Sequence, residues 1–242
     1  MKVAVCLFGI CRGDEKSWSS LFKNILEPLH ADLYIHSWLA PANQNTHTNA
    51  HQPGIDNIIK FLTSAAKNGI QLRASKFEQQ TLIQPEVIDA PWGKVYFSNQ
   101  VNMFKSISES SKLARETKEI YDYYIFTRTD IIFRTPIIIE ALEKLNCFFH
   151  GGIFNDTKNS YECEDVFFGV SADLIQMVDL IHKNHLEMKY LSGNVYNILI
   201  TWASQLGAYI YNIKYSYGRS FVIYRKLNFK KRIGNIIKKI LD

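Results

Sequence analysis

The stretch 121-YDYYIFTRTDIIFRTP-136 constrains the fold more than any other part of the chain. From Tyr123 to Phe126 each side chain is apolar or aromatic, so an extended strand here presents hydrophobic groups to both sides. Such a strand is stable only in a sheet covered on both faces, the situation of parallel sheets packed between helices. Arg128 and Asp130 then enter at the end of the run. Taking an ion out of water costs several kcal/mol, on the order of a large fraction of a domain's stability, unless it is paired or binds something. The pair is therefore either a private salt bridge or the handler of a ligand.

Hydrophobic periodicity and punctuation extend this reading to the whole chain. VAVCLF (3–8) is a strand. Residues 17–29 are helical, with Ser17 as N-cap and Leu21, Ile25 and Leu29 at helical spacing. A second strand at 31–38 leads into a polar loop, 40–54. A helix near 54–67 stops at Asn68-Gly69, and a third strand covers 70–77. A long helix, 98–118, precedes the strand at 121–127. Beyond it the pattern gives a short helix (137–145), a strand (147–152), a polar loop (153–162), a strand (164–171), helices at 172–190 and 193–206, strands at 208–215 and 220–224, and a last helix, 227–241. The alternation predicts an α/β fold with a Rossmann-type, mostly parallel central sheet flanked by helices. In such sheets ligands bind beyond the carboxyl ends of the strands.

Composition agrees with a globular protein. The 242 residues suffice for one large domain, and hydrophobic (47%) and charged (21%) fractions are ordinary. Cys6, Cys11, Cys147 and Cys163 form neither a C-x-x-C pair nor a zinc spacing, which fits reduced thiols in a cytoplasmic protein. The opening MKVAVCLFGI is too short for a signal segment, and no uncharged apolar run approaches the ~20 residues of a membrane span.

Three segments carry chemistry. GICRG (9–13) is a glycine-bracketed turn after the first strand, where Gly9 lets backbone amides approach a phosphate and Arg12 can meet its oxygens; a plain tight turn is the other reading. In Arg128-Thr129-Asp130 the arginine can face a diphosphate, and Asp130 is a hard-oxygen ligand suited to Mg²⁺ or Mn²⁺. In YECEDVFFG (161–169) the clustered Glu162, Glu164 and Asp165 suit a general base, with a solvated acidic loop as the alternative. His36, at the end of the second strand, is a candidate contact to donor or metal, against a satisfied strand-end histidine. Asn99, Gln100 and Asn102 open the long helix near the same end. Trp18, Trp38, Trp92 and Trp202 read as packing residues.

Taken in order, VCLFGICRG, ADLYIHSW, NQVNMFKSISESSKL, YDYYIFTRTDIIF and EDVFFGVSADL resemble the small bacterial glycosyltransferase-like proteins encoded among surface-polysaccharide genes, which look like nucleotide-sugar-dependent enzymes of the GT-A fold. The likeness covers residues 1–185. It implies one domain over 1–224, with a nucleotide-sugar half (1–135) and an acceptor half (136–224). It also implies a nucleotide-diphosphate-sugar donor, a glycan or lipid-linked glycan acceptor, and a role in capsule or lipopolysaccharide synthesis. Arg12 then falls near the nucleotide, Asp130 at the metal-binding carboxylate, and Glu164-Asp165 at the catalytic base. The usual D-x-D is here R-x-D, so Arg128 stands where a first carboxylate would.

The charge balance separates the tail from the body. Residues 219–242 hold eight of the 28 Lys and Arg against one acid, Asp242, which leaves 20 basic and 22 acidic residues elsewhere. In 225-RKLNFKKRIGNIIKKILD-242 the apolar residues recur at helical spacing and the basic ones largely avoid that stripe, as in amphipathic helices lying on anionic membrane surfaces. The expectation is a cytoplasmic protein that touches the inner membrane face through this segment. Nucleic acid is not an expected partner, because the body is net negative and lacks a recognised binding signature. The competing functions are a non-catalytic nucleotide- or glycan-binding protein of the same fold and a nucleotidyltransferase.

Overall fold

The computed structural model describes residues 1–39, 55–80, 87–90, 93–137, 146–155, 160–188, 195–216 and 220–223; in parts of these, including Glu164 and Asp165, the backbone alone is described. The elements run β1 (Val3–Leu7), α1 (Glu15–Leu21), a π-helical turn (Phe22–Leu26), α2 (Glu27–Leu29), β2 (Asp32–Trp38), α3 (Ile55–Lys67), β3 (Leu72–Glu78), β4 (Val87–Ala90), β5 (Gly93–Tyr96), α4 (Phe97–Arg115), β6 (Tyr123–Thr127) and β7 (Ile131–Phe133). They continue with β8 (Cys147–Asn155), β9 (Ser160–Ser171), α5 (Gln176–Met188), α6 (Val195–Gln205), β10 (Tyr209–Ser216) and β11 (Phe221–Ile223).

Seven strands form one sheet in the order β10-β8-β9-β6-β1-β2-β3. Only β9 runs against its neighbours; the other pairs are parallel. This is the mostly parallel α/β sheet that the alternation predicts.

The strands are apolar throughout because both faces are covered. Val3, Val5, Leu7, Leu33, Ile35, Tyr123 and Ile125 face a cluster with Trp18, Phe22 and Phe61 from the first helices and α3. The alternate positions Ala4, Cys6, Phe8, Tyr34, Tyr124 and Phe126 face Phe104 and Ile107 of α4, Val178 and Ile181 of α5, and Leu199 of α6. Each large side chain so buried contributes about 1.5–3 kcal/mol. The amino end of the sheet is closed by a satisfied polar network. There the Tyr34 and Tyr121 hydroxyls lie 2.6 Å apart, the Tyr121 hydroxyl donates to Asp32 (2.7 Å), and Arg73 donates to the same carboxylate (2.7 Å).

Several expectations are corrected. The N-cap of α1 is Asp14, not Ser17: Asp14 accepts from the amides of Lys16 and Ser17, and the Ser17 hydroxyl accepts from the Asp14 amide in a reciprocal capping box. The polar stretch 153–162 is not a loop throughout, since β8 reaches Asn155 and β9 starts at Ser160, paired Gly152 with Cys163 and Asn155 with Ser160. Strands β4, β5 and β7 have no counterpart in the sequence reading. The expected helices at 137–145 (from 138) and 227–241 lie outside the described residues, and so does Trp92. Trp18 and Trp38 are core residues. Among the described residues no helix is long and apolar enough to cross a membrane.

The π-helical turn leads into Pro28. Pro28 lacks an amide hydrogen, and the carbonyl of Asn24, four residues earlier, accepts instead from the Ile137 amide (2.9 Å). The Asn24 side chain, buried, donates to the Phe133 carbonyl (2.7 Å). One residue thus ties the first helices to both ends of the segment that follows Asp130. Asn24→Ala is expected to cost about 1–2 kcal/mol, the worth of a buried hydrogen bond with its acceptor left unsatisfied. Urea unfolding would measure it.

Candidate functional site

The carboxyl ends of β1, β2 and β6 converge on the GICRG turn and on Arg128-Thr129-Asp130. Parallel pairing sets Leu7 beside Thr127 and Ile35, so the segments leaving β1 and β6 are neighbours. Their backbones are locked together. The Phe8 amide donates to the Thr127 carbonyl (3.1 Å) and the Arg12 amide to the Thr129 hydroxyl (2.8 Å).

The turn itself is held by groups from every side. The Gly9 amide donates to Ser106 Oγ of α4 (2.7 Å), and the Gly9 carbonyl accepts from the Trp38 amide (3.1 Å). The Cys11 amide donates to Ser37 Oγ (2.9 Å), and the Cys11 carbonyl accepts from Asn57 Nδ2 (3.0 Å). The Arg12 carbonyl accepts from the Trp18 indole (3.1 Å). The amides of Gly9, Cys11 and Arg12 are therefore spent on protein side chains. A phosphate cradle of these backbone amides, the role expected from Gly9, is not what the turn provides. It is a rigid mount for the Arg12 side chain.

Arg128 and Asp130 form a bidentate salt bridge, Nε to Oδ1 at 2.9 Å and Nη2 to Oδ2 at 2.5 Å. Asp130 is buried at 4% exposure, whereas the Arg128 side chain keeps 26%. A second guanidinium stands close by. Burial first, then the positive charge of Arg128, holds Arg12 below the ordinary arginine value, with Asp130 acting in the opposite direction. Arg12 Nε is buried and makes no hydrogen bond among the described residues. Asp130 thus acts on both arginines, and Arg12 keeps a donor with no partner among the described residues at a half-buried place. This is the reverse of the closed amino end.

The remaining candidates fall around this pair. His36 is fully buried, with Nδ1 2.7 Å from Ser106 Oγ and Nε2 3.2 Å from Glu78, so it stands beneath the turn. Burial lowers its pKa and Glu78 raises it. Phe167 pairs with Thr127, which places the backbone of Asp165, two residues earlier in β9, just beyond the end of β6. The side chains of Glu164 and Asp165 lie outside the described residues. Gln100 and Asn102 are buried on α4; the Asn99 side chain is not described. A cavity of about 600 Å³ opens beside Gly13 between α1 and α3, lined by Trp18, Asn57, Lys60 and Lys67 among others, but not by Arg12, Arg128 or Asp130.

The donor set does not fit a divalent cation well. Both oxygens of Asp130 accept from Arg128, and the Arg12 guanidinium is close enough to be influenced by both charges. Among the described residues no group of three His, Cys, Asp or Glu is placed to hold a metal ion. The structure brings the sequence candidates Arg12, Arg128 and Asp130 together. Sequence reasoning missed Thr129 and Ser106, whose hydroxyls act across 117 and 97 residues of chain; nothing local in the sequence marks them.

No family model matches the chain, and no curated protein matches it. Solved structures do. One is the crystal structure of a glycosyltransferase involved in the glycosylation of the major capsid of PBCV-1, similar over 98% of each chain at 9% identity with a TM-score of 0.45. A likeness at that level stands beside the site geometry without adding to it.

Proposed function

We propose that the protein is a glycosyltransferase that binds the diphosphate of a nucleotide-sugar between Arg12 and Arg128. The observation that carries this reading is the half-buried Arg12, with an unmet Nε donor, set next to a second arginine at the carboxyl ends of β1 and β6. Guanidinium forks match phosphate oxygens bidentately, and this is the end of a parallel sheet where ligands bind.

Transfer requires the departing nucleoside diphosphate to take up negative charge as the bond from the sugar's anomeric carbon to phosphate oxygen breaks. Arginines fixed in advance at that oxygen stabilise the transition state more than the ground state. The acceptor hydroxyl oxygen forms the new bond on the opposite face, and its proton passes to Asp165, the candidate base on β9, giving inversion. Glu164 is the alternative proton acceptor. A divalent ion at Asp130 is the competing account of the same charge; no step here is routed through it. A glycan acceptor in surface-polysaccharide synthesis, lipid-linked or free, follows from the motif resemblance. Contact with an anionic membrane surface through 225–242 rests on the sequence of that segment, which lies outside the described residues.

The test is a binding titration of UDP, GDP, CMP and dTDP, with and without Mn²⁺, on the wild type and on Arg12→Ala. One nucleoside diphosphate is expected to bind at micromolar Kd without metal, and Arg12→Ala to weaken it about 30-fold, the worth of a charge-assisted pair. Release of that diphosphate from its sugar conjugate in the presence of acceptor separates a transferase from a binding protein, and pyrophosphate release would identify a nucleotidyltransferase. Absence of binding by all four nucleotides would overturn the reading.

A further inference from the structure

The GICRG turn hangs on one hydroxyl supplied from outside the sheet. Ser106 is fully buried on α4, and its Oγ accepts the Gly9 amide at 2.7 Å. The same Oγ has two acceptors within reach, His36 Nδ1 at 2.7 Å and the His36 carbonyl at 3.3 Å. His36 is fully buried too, and its Nε2 lies 3.2 Å from Glu78. One arrangement satisfies all these atoms. Nε2–H donates to Glu78, the Nδ1 lone pair accepts the Ser106 hydroxyl, and the Ser106 oxygen accepts the Gly9 amide. Glu78 is held in turn by Lys76 and Lys105, each at 3.3 Å, and Lys76 reaches Glu109 at 2.5 Å.

We infer that Ser106, oriented by His36, is a positioning residue that sets the place of Arg12 at the diphosphate site. The inference rests on the function proposed above. Gly9 begins the turn that carries Arg12, at φ +90°, and its amide and carbonyl are the first atoms of the turn to be anchored. A buried serine–histidine pair costs desolvation that an apolar pair would avoid, since the surrounding contacts of α4 with β1 and β2 are made by Phe8, Phe104 and Ile107. Among the described residues the Ser106 hydroxyl meets the Gly9 amide of the turn and the ring and carbonyl of His36. Displacing a charged group by about 1 Å is enough to lose on the order of tenfold or more in its action on a bound substrate. His36 therefore serves the ligand without touching it, through one hydroxyl and one backbone amide.

The test is a double-mutant cycle read by calorimetric titration with the nucleoside diphosphate that the wild type binds, and with inorganic pyrophosphate. Ser106→Ala is expected to raise Kd about tenfold in the wild-type background and by less than about twofold in the Arg12→Ala background, because it acts through Arg12. His36→Asn, which keeps an atom at the Nδ1 position, should bind within about threefold of wild type, whereas His36→Leu should match Ser106→Ala. This second pair reads the same coupling where Ser106→Ala does not fold, and thermal midpoints check each variant. Equal weakening in both backgrounds, or unchanged binding by Ser106→Ala or His36→Leu, would overturn the positioning role alone. Failure of the wild type to bind either nucleoside diphosphate or pyrophosphate would overturn the diphosphate site and this inference with it.

Discussion

Asp130→Asn is expected to lower the stability of the ligand-free protein by about 3 kcal/mol, and nucleoside diphosphate to restore more of that loss than it adds to the wild type. Breaking a buried ion pair by removing one partner costs about 3–5 kcal/mol, because the other charge is left uncompensated. The lower end applies here, since Arg128 keeps 26% of its side chain exposed. Arg12 makes the case sharper than an ordinary pair, because Asp130 also favours the charged form of the buried Arg12 guanidinium. In a domain of this size the loss amounts to a midpoint about 6–12 °C lower. A bound diphosphate brings negative charge to the same arginines, so its stabilising effect, read as the rise in midpoint with ligand, should be larger for the variant. It should also fade faster with added salt. The opposite pattern is equally informative. A variant that folds normally but loses nucleotide binding, where the wild type needs Mn²⁺, would make Asp130 a metal ligand and Arg128 its restraint.

The sequence disclosed the parts of this protein whose cause is local. Apolar runs without alternation marked β1, β2 and β6, because a strand covered on both faces has no polar side to show. Arg128 and Asp130 were visible as charge where burial makes charge costly, and of the two readings the structure shows the salt bridge; the ligand reading is the proposal made above. The extension of β8 and β9 was not legible. The polar run Asn155 to Ser160 dominates residues 153–162 and reads as a loop, so the short apolar extensions on either side of it, Ile153-Phe154 and Tyr161, were absorbed into that loop although they pair as strand ends. The N-cap was displaced by three residues for a related reason. Asp14 and Ser17 are both good caps in isolation, and only the reciprocal bonds between them decide which one ends the chain's extended path. Hardest to see were Ser106, Ser37 and Thr129. A hydroxyl that accepts an amide from a distant turn looks, in sequence, like any other serine or threonine.

Gly13→Ala is expected to be far more damaging than Gly9→Ala, although the two glycines share one backbone conformation, φ +91° and φ +90°. That conformation costs an alanine about 1–2 kcal/mol at either position. At Gly9 nothing lies within 4 Å of the place a Cβ would occupy, so the conformational cost is the whole cost. At Gly13 the added carbon would sit 2.2 Å from Ser17 Oγ and 2.8 Å from the Thr129 carbonyl oxygen. Ser17 Oγ is not free to turn away, because it accepts the Asp14 amide and donates to the Asp14 carbonyl in the cap of α1. Thr129 is backbone, and it is the residue between Arg128 and Asp130 that also receives the Arg12 amide. Relieving the clash means losing a cap bond, about 1 kcal/mol, and shifting packed backbone, about 1–3 kcal/mol more. The expected total at Gly13 is about 3–6 kcal/mol, against about 1–2 at Gly9, measured as the difference in urea unfolding free energy. The shift would also carry Thr129 away from the turn, so any Gly13→Ala protein that remains folded should bind diphosphate as weakly as Arg12→Ala. Equal destabilisation at the two positions would mean that the first turn and the Arg-Thr-Asp segment are not packed backbone to backbone, and that Arg12 and Arg128 are not held as one anion site.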